Sequence, residues 1–405
     1  MQPVARAVRP CVACRESFLV AVEQRAPSND RCLVVFSDDW GRHPSSCQHL
    51  VRELLGSCRV EWINTIGTRG LSLNWDLVRR GAQKLLQWGA RSGQQPTRES
   101  GPAPSVHNPL MYPGFRSRWQ RRLNARLLAN HLTRKVRGLK DAVVLSSVPI
   151  TADLSQQFDA KRWVYYCVDD FSEWPGLDAG PLRRMEQDLV ARADRIVAAG
   201  ENLAVRIHGL GREAQVITHG IDFAHWTRTD GDAAMLAGLP QPIVLFWGLV
   251  DRRLDVAMIE QLSRCMSSGS IVLVGPQQDP DPRLARIPRV HLPGVCAYEN
   301  LPALARAAAV LVMPYADLPV TRAMQPLKMK EYLATGRPVV VARLPAVGDW
   351  KDCMDVADDA AQFAELVVAR LGAPLPEPQR RARERLRDES WRSKAAKFAE
   401  ILFAD

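Results

Sequence analysis

No apolar run in this 405-residue sequence approaches the roughly 18 consecutive residues needed to cross a bilayer. The first thirty residues lack even the shorter apolar stretch of a secretory leader and hold Arg6, Arg9, Arg15 and Glu16 instead. A cytoplasmic location is therefore expected. Cysteine supplies no framework: the nine residues are odd in number and scattered from Cys11 to Cys353. Cys11 and Cys14 form the single C-x-x-C, with no second pair or histidine cluster to complete a zinc site, so no resident metal or cofactor is expected. Acid is almost missing from one segment. Between Leu77 and Lys140 there are fourteen lysines and arginines against the single acid Glu99, while the whole chain carries only +10, so the remainder is slightly acidic.

What the sequence does have is alternation. From Cys32 onward, short apolar runs separate helical patterns, which is the mark of parallel α/β units. Strands are expected at Cys32–Phe36, Val60–Asn64, Ala142–Leu145, Trp163–Val168, Arg195–Ala198 and Ala214–Ile217. A second series is expected at Pro242–Phe246, Ile271–Val274, Val290–Leu292, Val310–Met313 and Pro338–Val341. The fold class is thus α/β, with two Rossmann-like doubly wound domains facing a deep cleft. Residues 1–30 are left unassigned, 31–222 form an acceptor-side domain with a basic insertion at 77–140, and 223–241 read as a linker rich in Gly, Pro and Asp. Residues 242–379 form the second domain, and 380–405 a final helix with Trp391, Ala395, Phe398 and Ile401 on its apolar side. Pro44 is expected to open the first helix. Gly93–Gly114 reads as a loop, and Arg116–Gly138 as a basic helix that also carries Trp119, Leu123, Leu127, Leu128 and Leu132. That helix either packs on its domain with a solvated face or meets anionic lipid.

The most informative stretch is Pro326–Val341. Pro326 suits a helix start, Gly336 and Pro338 stop it before a buried strand, and Lys328 and Glu331 share one helical face. Unpaired N–H groups at such a start attract phosphate, Lys328 adds a point charge, and a carboxylate one turn on can accept both hydroxyls of a ribose. An isolated Lys-x-x-Glu is ordinarily a solvated surface pair. Here it stands in Pro-x-Lys-x-x-Glu-Tyr-x-Ala-x-Gly-x-Pro-Val-Val. This pattern resembles the nucleotide-binding segment of the GT-B glycosyltransferases, the retaining family 4 or glycosyl transferases group 1 type, and the resemblance extends over about residues 31 to 400.

The resemblance implies a donor site for a UDP- or GDP-linked sugar, with Gly248 at a strand end and Arg253 reaching the diphosphate, Arg252 being the neighbouring alternative. Gly275 and the loop through Tyr298 would cradle the base. The family's second glutamate, eight residues before Glu331, is Ala323 here, which leaves Arg322 or Gln325 to hold the sugar. On the acceptor side the corresponding strand ends carry Asp39 and Gly41, the adjacent Asp169 and Asp170, and the hinge residue His219. Asp38, Asp39, Asp169 and Asp170 could equally cap the helices that follow them. Catalysis would fall to Arg253 and Lys328, which stabilise the departing diphosphate without a metal, and to Asp169 or Asp170 facing the acceptor. The Asp-x-Asp pairs at 230/232 and 279/281 lie away from strand ends and are discounted as metal sites. The implied activity is sugar transfer to a saccharide or lipid-linked acceptor in cell-surface polysaccharide or glycolipid synthesis, with retention, on the cytoplasmic face of an anionic membrane reached through 77–140 and without nucleic acid. Epimerisation of a sugar nucleotide on the same scaffold, or a binding protein with a vestigial donor site, are the competing readings.

Overall fold

The computed structural model describes residues 31–41, 45–65, 102–174 and 176–404. Expectations about Cys11, Cys14, Pro44 and the first half of the basic insertion lie outside the described residues.

Two wholly parallel sheets organise the chain. The first contains β1 (Cys32–Ser37), β2 (Arg59–Asn64), β3 (Ser105–His107), β4 (Val143–Ser146), β5 (Arg162–Cys167), β6 (Arg195–Ala198) and β7 (Gln215–Val216), in the order β3-β2-β1-β4-β5-β6-β7. The second contains β8 (Ile243–Trp247), β9 (Ser270–Val274), β10 (Val290–Gly294), β11 (Val310–Met313), β12 (Val339–Ala342) and β13 (Asp355–Ala357), ordered β10-β9-β8-β11-β12-β13. Both faces of β1 are covered, since Leu33 and Val35 enter one cluster of buried side chains and Val34 and Phe36 another. That is why the central strands read as unbroken apolar runs.

The helices are α1 (Ser46–Leu54), α2 (Arg118–Lys135), α3 (Ala179–Arg192), α4 (Glu201–Gly209), α5 (Phe223–Trp226), α6 (Val256–Cys265), α7 (Leu301–Ala307), α8 (Pro319–Ala323), α9 (Leu327–Ala334), α10 (Ala360–Arg370), α11 (Glu377–Ala382) and α12 (Trp391–Phe403). Ser45 caps α1 by accepting from the Gln48 N–H, so neither Asp38 nor Asp39 is its cap. Asp38 instead accepts from Ser45 Oγ and Gln48 Nε2. The expected loop at 93–114 is corrected over its last part, where Ser105–His107 adds a parallel edge strand to β2. The expected linker at 223–241 contains α5, whose Trp226 is buried in the second domain's core.

The final helix packs on the first sheet. Trp391, Ala395, Phe398, Ile401 and Leu402 of α12 join the core of the first sheet, with the Phe398 ring 5.2 Å from that of Tyr166. The junction is held by polar groups. Lys330 Nζ donates to the His219 carbonyl at 2.5 Å and to Glu389, and Lys394 also reaches Glu389 at 2.8 Å. Among the described residues no helix is long and apolar enough to cross a membrane.

A capping box made by Ser117 and Gln120 opens α2, which lies on the first domain through Asn124, Ala125, Leu128, Ala129 and Leu132. Two of its expected surface cations are structural. Arg121 makes a paired contact with Asp153 at 2.6 and 3.0 Å and also binds Asp188, while Arg116 reaches Asp178 at 2.6 Å. Trp119 is 56% exposed and does not enter the core.

Candidate donor site at the domain cleft

The carboxyl ends of β8 and β11 bring Lys328 and Arg253 to Tyr315, with Glu331 beside Trp247. The Lys328 ammonium donates to the Tyr315 hydroxyl at 2.7 Å, and Arg253 lies 5.9 Å from the same ring. Glu331 follows one turn after Lys328 on α9, and the indole N–H of Trp247, the last residue of β8, approaches its carboxylate at 3.3 Å. Burial pushes the Glu331 carboxyl up to about 7, opposed by that indole and by Lys328. A nucleoside diphosphate requires two cations for the phosphates and a carboxylate for the ribose, and this is the set assembled here.

Two glycines make the close approach possible. At Gly248 (φ +142°) a Cβ would stand 1.9 Å from Lys328 Nζ, and at Gly275 (φ +142°) it would stand 1.9 Å from the Gly248 carbonyl oxygen. Both strand ends therefore need a residue without a side chain and with left-handed freedom.

Arg253 and Arg252 part company. Arg253 is buried, and its Nε donates to both oxygens of Asp251 at 3.1 and 2.9 Å. Arg252, the neighbouring alternative, is exposed and held by Asp279 at 2.8 Å. Arg322 is likewise diverted, forming a fork with Asp317 on the exposed surface. Gln325 packs its amide against Gly200 and gives its carbonyl to His219, 2.8 Å away. Neither residue therefore occupies the place left by Ala323 in this structure. Tyr298 lies with its ring stacked on His225, 4.3 Å away and 3° from parallel, and its hydroxyl lies near Glu331, whose charge adds to burial in raising its pKa.

The acceptor-side residues divide in the same way. Asp170 is the structural member of its pair: its carboxylate caps the single-turn helix Phe171–Glu173, binding the N–H and Oγ of Ser172 at 3.0 and 2.6 Å, and it lies 3.1 Å from Arg206. Asp169 is the functional candidate. Burial pushes it up to about 6, while the neighbouring Trp174 and Arg253 pull it down. His219, expected as the hinge residue of the acceptor side, lies at the junction of the two domains. It is buried, bonded to the Gln325 carbonyl, and pushed down to about 3 chiefly by burial and then by Lys330, so it stays neutral. Asp39 and Gly41 stand after β1, in a loop tied down by Gln48, which accepts from the Gly41 N–H at 3.0 Å. Asp230, Asp279 and Asp281 of the Asp-x-Asp pairs each bind an arginine, and the described residues contain no group of three His, Cys, Asp or Glu placed to hold a metal.

Sequence reasoning missed Trp247, Tyr315, Trp174 and Lys330. Tyr315 and Trp247 had a usable signal, since both lie at or just after the strand ends where ligands of open α/β sheets bind.

Two doubly wound parallel sheets across a cleft, joined by a returning C-terminal helix, define the GT-B fold. Residues 241–372, which hold the second sheet, match the family described as Glycosyl transferases group 1. Among curated proteins, the chain is 26% identical over 175 residues to the Bacillus subtilis protein named "Putative teichuronic acid biosynthesis glycosyltransferase TuaH". The match covers 41% of this chain and 44% of that one, so it spans under half of either protein. Among solved structures, sucrose-phosphate synthase from Thermosynechococcus elongatus superposes with a TM-score of 0.68 at 16% identity, covering 92% of this chain and 98% of that one. The Anabaena protein HepE, solved in complex with UDP, gives 0.62 at 14% identity over 92% and 99%. A UDP-forming trehalose-phosphate synthase from Burkholderia xenovorans gives 0.62 at 16% identity over 92% and 99%. These likenesses bear out the expected fold.

Proposed function

We propose that this protein transfers a sugar from a nucleoside-diphosphate donor to a saccharide or lipid-linked acceptor in the synthesis of a cell-surface polymer. The observation that carries this reading is the convergence of Arg253, Lys328 and Glu331 at two glycine-opened strand ends. Arg253 and Lys328 neutralise the charge that grows on the departing diphosphate, and they do so in a site where burial strengthens each interaction. Glu331 fixes the ribose. Asp169, across the cleft from Arg253, meets the acceptor hydroxyl. With the leaving phosphate taking the acceptor proton on the same face of the sugar, the product retains the donor's anomeric configuration, and the two cations supply positive charge without a divalent ion. The UDP complex of HepE and the UDP-forming activity named for the trehalose-phosphate synthase favour UDP over GDP as the first donor to test. The teichuronic acid assignment of TuaH favours a polymeric acceptor. Arg118, Arg122 and Arg126, exposed on α2 beside Trp119, supply a basic face for a protein working at an anionic inner leaflet.

Calorimetric titration with UDP, GDP and their sugars tests the donor assignment. Arg253→Ala, Lys328→Ala and Glu331→Ala should each weaken binding roughly ten- to hundredfold, the effect of losing one charge-assisted hydrogen bond. Unchanged affinity in all three overturns the site.

A further inference from the structure

The acceptor-side domain lays an aromatic ring on the donor-side arginine. Trp174 follows the turn Phe171–Glu173 beyond β5, and its ring lies 4.6 Å from Arg253 Cζ. The Arg253 guanidinium is then constrained on two sides. Its Nε is fixed by Asp251, and its Cζ lies over the indole ring. Nη1 touches only the Met324 sulfur, at 3.9 Å, and Nη2 has no hydrogen-bond partner among the described residues. The edge left over is the pair of parallel donors that suits a phosphate oxygen pair.

Trp174 turns its polar end toward Asp169, whose pKa it lowers. Its Nε1 is buried without a partner, beside Asp169 but outside hydrogen-bond geometry. A buried indole N–H normally finds an acceptor, and Asp169 is the one beside it, while the ring face meets Arg253. The ring belongs to one domain and the cation to the other, so the contact exists only while the two domains are docked.

We propose that Trp174 is a positioning residue that holds the Arg253 guanidinium plane with its Nη1–Nη2 edge toward the donor diphosphate, and so makes diphosphate recognition depend on docking of the acceptor-side domain. The inference rests on the donor site proposed above. Trp174 acts through Arg253 and does not touch the reacting atoms.

The test separates recognition of the diphosphate from general integrity. Affinities for UDP and UMP, or GDP and GMP if those are what the wild type binds, are measured by calorimetry in wild type, Trp174→Leu, Trp174→Phe and Arg253→Ala. Thermal unfolding of each variant is followed alongside. Trp174→Leu should cut the diphosphate-to-monophosphate affinity ratio roughly ten- to thirtyfold, the size of a desolvated cation–π contact. Trp174→Phe, which keeps a ring face and loses the N–H beside Asp169, should recover most of the ratio. Trp174→Leu added to Arg253→Ala should change the ratio no further. A ratio unchanged in Trp174→Leu, an equal loss for mono- and diphosphate, or additivity with Arg253→Ala overturns the proposal while leaving the donor site standing. Absence of nucleotide binding by the wild type overturns the donor site and this inference together.

Discussion

Nucleotide affinity should rise with pH through neutrality, and the rise should belong to Glu331. Burial pushes this carboxyl from its usual range up to about 7, with the Trp247 indole and Lys328 only partly offsetting the cost of desolvation. For folding, a raised acid pKa means that between about pH 4.5 and pH 7 the native protein holds a proton that the unfolded chain has released, so stability falls as pH rises through that window. Binding has the opposite sign. Ribose hydroxyls donate to the ionised carboxylate, so the complex forms best where Glu331 is already charged. With a pKa near 7, the ionised fraction grows from about one tenth at pH 6 to about nine tenths at pH 8, a gain of roughly ninefold in affinity or ~1.3 kcal/mol. Calorimetry with the diphosphate at pH 6, 7 and 8 reads this directly when wild type is compared with Glu331→Gln. Titration of the ligand's own phosphate is common to both proteins and cancels in the comparison. Asp169, pushed up to about 6, lies across the cleft, so any slope it contributes persists in the glutamine variant. Equal slopes in the two proteins, or a wild-type affinity that falls with pH, would refute the assignment of Glu331 to the ribose.

Three further outcomes are expected. Gly275→Ala should destabilise the second domain by about 1–3 kcal/mol in chemical denaturation, because its Cβ meets the Gly248 backbone, whereas Gly248→Ala displaces the movable Lys328 head and should cost donor affinity more than stability. Lys330→Met should lower stability by about 3 kcal/mol, since it leaves the His219 carbonyl and part of the Glu389 charge unpaired at the junction; a variant as stable as wild type would show that Lys394 alone satisfies that site. Arg118→Ser, Arg122→Ser and Arg126→Ser combined should weaken co-sedimentation with anionic vesicles and abolish its salt dependence, while Arg121→Ser should chiefly destabilise the domain by stranding Asp153 and Asp188. Vesicle binding unchanged by the triple variant would place the acceptor in solution.

The sheets were legible where both faces are buried. Strands such as β8, β9 and β11 are continuous apolar runs because no position of them meets water. The edge strands β3 and β13 were not, since Ser105-Val-His and Asp355-Val-Ala each present one aliphatic residue of strand type, and pairing with a neighbour rather than burial defines them. The choice between Arg252 and Arg253 was equally beyond sequence. Both follow β8, and each has an aspartate within reach in space. Asp251 holds Arg253 inward by its Nε and leaves its far edge free, whereas Asp279, 27 residues away, takes both ends of Arg252 and turns it outward. Arg322 offers the same lesson, because Asp317, five residues before it, pairs with the charge that the sequence offered a sugar.

Lys330 shows why the most informative motif still hid half of its meaning. It stands between Lys328 and Glu331, and in sequence it reads as one more solvated cation on an amphipathic helix. Its partners lie far along the chain, the His219 carbonyl 111 residues before it and Glu389 59 residues after it. Burial pushes its pKa down to about 8, against the pull of Glu389, so the junction tolerates the charge only because these partners are in place. The eight residues of α9 thus serve two ends of the molecule. Lys328 and Glu331 face the donor site, and Lys330 fastens the same turns to the start of the helix that crosses back to the first domain. A short helix cannot rotate one of these faces without moving the other, because its backbone hydrogen bonds fix them about a hundred degrees apart per residue. A shift of the domains at Glu389 and His219 is therefore felt at Lys328, and the donor site is set by the docking of the domains as well as by the residues that line it.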